Sequence, residues 1–295
     1  MKPKDLAIYV FLALTWGLSF MVVLRVIDAF GWIGAVVFRS FIASAALFSM
    51  ALLSRKKLDF SIGWWPLAVV GATTVAGQLI GLTFATPRIG TAMTAILVAT
   101  IPLFSMLIGQ IWGTERMTAQ GFAGLVLGFG GIVLLVGFPS VPVTTSFVLG
   151  CLGALLGTLS AAFGSNYASQ RLKAVGAWEV TIGSFLVGGL MTLPLLPLVP
   201  VPAMPGPGAF FYLILSGAVM SGLNYVLYFK LVSSIGPTRT ISVEFMVTVV
   251  AVFVGAFFLH ESLSPVQVAG AAIIVGGCAM VLGLFPALGR ARQRP

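Results

Sequence analysis

Apolar runs long enough to cross a lipid bilayer follow one another along the chain with only short polar breaks. Ten are predicted, over residues 5–27, 31–53, 63–85, 89–112, 118–138, 146–170, 177–199, 208–233, 237–259 and 265–286. Each meets the roughly 20 apolar residues that a hydrocarbon core about 30 Å thick demands of a helix. The runs leave no room for a soluble domain. The first follows the basic start "MKPK" but is longer than a signal-peptide core and has no clear small-residue cleavage site, so it reads as helix 1. The segment "PLLPLVPVPAMPGPG", residues 194–208, carries no charge and reads as a stiff external connection that ends helix 7.

Composition turns the pattern into a class. Only 8% of the 295 residues are charged and 59% are hydrophobic, with a mean hydropathy of +1.11, more apolar surface than a soluble core can hide. The expected fold is an all-α integral membrane protein. A net charge of +9 could suggest nucleic acid, but twelve of the sixteen basic residues fall where alternate loops emerge. These are Lys2, Lys4, Arg55, Lys56, Lys57, Arg116, Arg171, Lys173, Lys230, Arg290, Arg292 and Arg294. The positive-inside rule then places both termini in the cytoplasm, with Arg25 and Arg88 near the opposite face. Nucleic acid is not expected as a partner; lipid is.

Several chemistries drop out. Cys151 and Cys278 lie within helices 6 and 10 without CxxC spacing and read as packing residues, and a single histidine, His260, excludes a histidine-cluster metal site. Without a Walker motif, energy must come from a gradient, and without Ser/His or paired-Asp constellations an enzyme is not expected. No cofactor is implied.

The chain also repeats itself. Between residues i and i+146, positions 88–137 give ten identities, six of them glycine, against about four from composition. Gly90, Gly109, Glu115, Gly124, Gly130, Gly131 and Gly137 find Gly236, Gly255, Glu261, Gly270, Gly276, Gly277 and Gly283, and the same shift pairs Ser19 with Ser165 and Gln78 with Asn224. Ten crossings in two copies give five each, and an odd number makes the second copy enter from the opposite side. The expectation is ten transmembrane helices as two inverted five-helix repeats, 1–138 and 139–295, an architecture suited to alternating access around a central site. Duplication for stability alone is the competing reading. Gly77/Gly81, Gly124/Gly128 and Gly153/Gly157 have the small-xxx-small spacing that lets helices approach closely.

The segments "GTERMTAQGFAGLVLGFGGIVLL" and "LHESLSPVQVAGAAIIVGGCAMVL" resemble the glutamate-containing turn and glycine-rich last helix that close each half of EamA-type exporters, in the drug/metabolite transporter superfamily. "TWGLSF" and "VVFRSFIASA" resemble the same family's opening helix pair. The resemblance implies a ten-helix carrier with a central cavity lined mainly by helices 1, 3, 4, 6, 8 and 9. Within the family the overall pattern looks most like the aromatic amino acid exporters.

The candidate site residues come from both readings. A charge at the bilayer centre costs about 2.5 to 3.5 kcal/mol, so charges there should face protein or water, and Arg39 and Glu244 qualify. Glu244 could hold an ammonium group, exchange a proton, or be a structural acceptor near Arg239. Arg39 matches an arginine that this family's second helix often carries. It could brace broken or kinked helices or receive a substrate carboxylate. Trp16, Phe20, Tyr167, Tyr225 and Tyr228 lie in the helices that the family uses for its cavity, while Gln78, Asn166 and Asn224 are amides that need partners if buried. Ser19 and Ser165 could leave room for substrate or bond to their own helix. Glu115 and Glu261 precede Thr118 and Ser264, which read as N-caps, and should serve helix N-termini rather than transport. Rings with a few amides suit an amphipathic solute. The expected function is a monomeric secondary transporter exporting amino acids, aromatic ones included, across the inner membrane; the alternative is a drug or organic-cation/proton exporter of the same fold.

Overall fold

The computed structural model describes residues 2–114, 118–137, 142–201, 205–235, 240 and 243–281. Among these residues there is no strand, and ten helices cover the predicted runs. Helices α1 (3–30) and α2 (32–53) belong to one stretch, Pro3–Leu53, broken only at Gly31, whose φ of 72° with ψ of 162° suits glycine. Then come α3 (Trp64–Ile89), α4 (Thr91–Ile111), α5 (Ala119–Gly137), α6 (Thr145–Arg171) and α7 (Ala177–Leu198). Helices α8 (207–235), α9 (Val243–Phe258) and α10 (Pro265–Val281) complete the set. Six stretches are long and apolar enough to cross a membrane, the first comprising both α1 and α2; α5, α9 and α10 are shorter apolar helices.

The end of the third run shifts most clearly. The α3 run was expected to stop near residue 85 but continues through Thr86 and Pro87 to Ile89, because Thr86 and Arg88 bond back to the preceding turn. Gly90, at φ 83°, then turns the chain directly into α4. The N-caps appear as the sequence indicated: Thr118 Oγ1 accepts from Gly121 N–H, and Ser264 and Gln267 exchange bonds in a capping box. The predicted boundary at 138/139 and Glu115 lie outside the described residues.

Glycine seams set the packing. A Cβ on Gly124 of α5 would come 2.6 Å from the Gly277 carbonyl of α10, and one on Gly277 would come 2.6 Å from the Gly124 carbonyl. Gly131 and Gly270 face each other in the same way, at 2.8 and 2.9 Å. The 146-residue shift carries one contact onto the other, as an inverted repeat requires: Gly124 goes to Gly270 while Gly277 goes to Gly131. Between α3 and α6, Gly81 meets the backbone of Gly153 and Gly157. Apolar surface gives no net drive between helices in lipid, so this close van der Waals approach supplies much of the cohesion.

Each repeat also carries an irregularity that apolar periodicity does not announce. Gly71–Gly77 in α3 and Leu215–Leu223 in α8 are wound as π-helix. Shifted by 146, the first falls on 217–223, inside the second. The wider winding leaves backbone carbonyls for other donors, and the opposite repeat supplies them. Trp16 Nε1 of α1 donates to the Met220 carbonyl at 3.0 Å, and Ser160 Oγ of α6 donates to the Thr73 carbonyl at 2.9 Å. Since α1 and α6 are equivalent helices, the two bonds correspond helix to helix, though the 146-residue shift does not match them residue by residue.

Candidate functional site

Five of the residues singled out in the sequence converge where α1, α2, α8 and the start of α9 meet. The Trp16 ring lies 5.6 Å from Tyr225 and 5.6 Å from Tyr228, centroid to centroid. Three residues apart on α8, the tyrosines share a helical face, so one indole can touch both. Phe185 of α7 and Phe229 back this wall, 5.2 Å from Tyr225 and 5.6 Å from Tyr228 respectively. Trp16 is held from behind by its bond to the π-segment carbonyl, which fixes the indole's direction.

Glu244 lies half-buried in the first turn of α9, within electrostatic range of both Tyr225 and Tyr228. Among the described residues, no hydrogen bond reaches its carboxylate; Arg239, its candidate partner, lies outside them. Arg39 is buried, and its Nε donates to Ser221 Oγ at 2.6 Å. Its partner is thus a hydroxyl within the α8 π segment, Leu215–Leu223. Tyr225 is also within its electrostatic range. Two opposite charges thus share one aromatic neighbour, and among the described residues neither has an ion-pair partner. In a bilayer such charges call for water or a charged solute to complete them.

The remaining candidates distribute around this cluster. Asn224 is fully buried on α8; its Nδ2 donates to Thr15 Oγ1 at 2.8 Å, while its Oδ1 accepts no bond. Ser19 donates to the Trp16 carbonyl at 2.6 Å, bonding its own helix. Phe20 packs in the apolar interior against Ala95, Ala161 and Val247. Asn166 is braced between α6 and α4 by bonds to the Ala162 carbonyl and Ser105. Tyr167 joins a separate cluster with Leu67, Val70 and Val180, reached from the aromatic wall through Phe229. Gln78 and Ser165 are half-buried on α3 and α6.

Ser221, Thr15 and the Met220 carbonyl escape sequence reasoning because ordinary hydroxyls and a carbonyl carry no signature. Pairing Gln78 with Asn224 at the repeat offset was the nearest signal, since each immediately follows a π segment. Glu261 does serve a helix N-terminus, but that of α4 in the other repeat. Its carboxylate accepts from Thr91 N–H at 2.6 Å, Thr91 Oγ1 at 2.9 Å and Ala92 N–H at 2.8 Å.

A bundle of helices exchanged by an inverted repeat is matched in the sequence by one family profile that fits twice, over residues 5–137 and 148–283. The chain belongs to the EamA-like transporter family. Like other EamA-like chains of the drug/metabolite group, it is a multi-pass membrane transporter and not an enzyme. Protein PecM of Dickeya dadantii is 26% identical over 95% of this chain and 92% of its own length. The uncharacterized inner membrane transporter YedA of Escherichia coli K12 is 25% identical over 94% and 90%. A probable terminal-alkyne amino-acid exporter of Streptantibioticus cattleyicolor is 23% identical over 90% and 89%. A solved crystal structure shares the fold with a TM-score of 0.69 at 19% identity, covering 96% of this chain and 99% of its own.

Proposed function

We propose that this EamA-like protein exports amino acids, aromatic ones among them, from the cytoplasm across the inner membrane by alternating access between its halves, 1–138 and 139–295. It would act as a monomer with both termini cytoplasmic. The observation that carries the reading is the meeting of Arg39, the Glu244 carboxylate, which no hydrogen bond reaches among the described residues, and the Trp16/Tyr225/Tyr228 wall. A zwitterion with an aromatic side chain complements all three: its carboxylate for the guanidinium, its ammonium for Glu244, its ring for the indole and phenols. Ser221 engages Nε, and among the described residues no hydrogen bond takes the paired terminal nitrogens of Arg39, a fork suited to a carboxylate. The amino-acid exporter named among the relatives supports the substrate class.

A second reading rests on Glu244 alone. An acid within electrostatic range of Tyr225 and Tyr228 also suits an organic cation, with Glu244 taking cation and proton in turn. Uptake of labelled phenylalanine into proteoliposomes, competed by amino acids and by amines lacking a carboxylate, separates the two. Block by amino acids alone is the expected result; block by amines alone overturns the amino-acid reading in favour of cation export.

A further inference from the structure

The glycines that bring α3 and α6 together also leave a furrow on the outside of the bundle. It encloses a cavity of about 350 Å³ along Gly77, Gly81 and Gly157, walled by Trp32, Phe84 and Leu156. The one hydroxyl in its lining, Ser160, is already bonded to the Thr73 carbonyl, so nothing there recognises a polar solute. Leu156 is 65% exposed, and none of Trp16, Tyr225 and Tyr228 lines the furrow. Trp32 and Phe84 meet edge to face at 5.2 Å and form one wall.

The furrow's length and its end identify what fits. Its α3 lining runs from Gly77 to Phe84, about 10 Å of helix, and Arg88 stands one turn further on, so furrow and cation together span about 16 Å, against about 15 Å for one leaflet's hydrocarbon. At that end the Arg88 guanidinium lies 3.6 Å from the Phe84 ring centre and donates through Nη1 to the Phe84 carbonyl at 2.6 Å. The cation is therefore pinned at the mouth over a ring that is also the furrow's wall. Among the described residues Arg88 has no acidic partner, and a guanidinium's remaining N–H groups match a phosphate. We propose that the α3–α6 furrow holds an acyl chain of an anionic phospholipid whose phosphate rests on Arg88. The lipid would lie in the leaflet at the C-terminal end of α3, bridging helices of both repeats. The site is independent of which solute the carrier moves.

Trp32 makes the site readable. Purified protein in mixed micelles is titrated with phosphatidylglycerol or phosphatidylcholine carrying brominated acyl chains, and the Trp32 signal is taken as the difference from Trp32→Phe. Phosphatidylglycerol should quench at several-fold lower mole fraction. Arg88→Gln should reduce that preference about fivefold, Arg88→Lys should keep part of it, and Leu156→Phe should weaken quenching by both lipids. Thermal melting of each variant confirms that it is folded. Equal quenching by the two lipids in the unchanged protein overturns the proposal, as does a preference that survives Arg88→Gln or quenching that is indifferent to Leu156→Phe.

Discussion

At the scale of single residues, the unlike environments of three acidic and basic side chains give unlike expectations. Glu261 closes the N-terminus of α4 with three accepted bonds, so Glu261→Ala should destabilise the protein by about 1 to 2 kcal/mol, visible as a lower melting temperature in detergent. Among the described residues Glu244 makes no comparable bond, so Glu244→Gln should leave melting nearly unchanged while slowing phenylalanine uptake at least about tenfold and altering its pH dependence. Unchanged uptake and pH profile would make Glu244 structural. Arg39→Lys keeps the charge but loses the fork, and should weaken carboxylate-bearing competitors more than amines, as competition in proteoliposomes would read; equal loss of both would sink the carboxylate role. Much of this was legible in the sequence because a charge in an apolar run is conspicuous. What could not be read was direction. Ser19 and Asn166 are polar residues in cavity helices, yet they bond to their own or a neighbouring helix, and residue type alone does not say where a side chain finds its partner.

At the scale of helices, ten apolar runs were visible because lipid imposes length and composition on every crossing, whereas the π segments were hidden because winding one residue wider leaves hydropathy unchanged. The glycines show how finely the packing discriminates. Gly130 and Gly131 are neighbours, yet a Cβ on Gly130 meets nothing within 4 Å while one on Gly131 comes 2.8 Å from the Gly270 carbonyl. Gly131→Ala should therefore lower the melting temperature clearly, by the equivalent of about 1 to 3 kcal/mol, and Gly130→Ala should not. Gly277 and Gly276 repeat the contrast on α10. Similar melting of the two variants in each pair would show that the seam relaxes more readily than its backbone contacts suggest.

At the scale of the whole molecule, the duplication was legible because glycine tolerates so few replacements at a tight seam that both copies still carry it. The proposed orientation rests on charge alone and has its own test. With Cys151 and Cys278 buried, a single added cysteine reports its side of the membrane. Gly206→Cys should react in whole cells with a membrane-impermeant maleimide, and Ser61→Cys only after the cells are opened. The reverse pattern would invert the proposed direction of transport. Symmetry ends at the site itself, because the 146-residue shift carries Arg39 to Phe185 and Glu244 onto Val98. A cluster with a guanidinium, a carboxylate and an aromatic wall at three unlike corners has handedness. On the proposed reading it must distinguish a solute from its mirror image, and D-phenylalanine should compete for uptake several-fold less well than the L form.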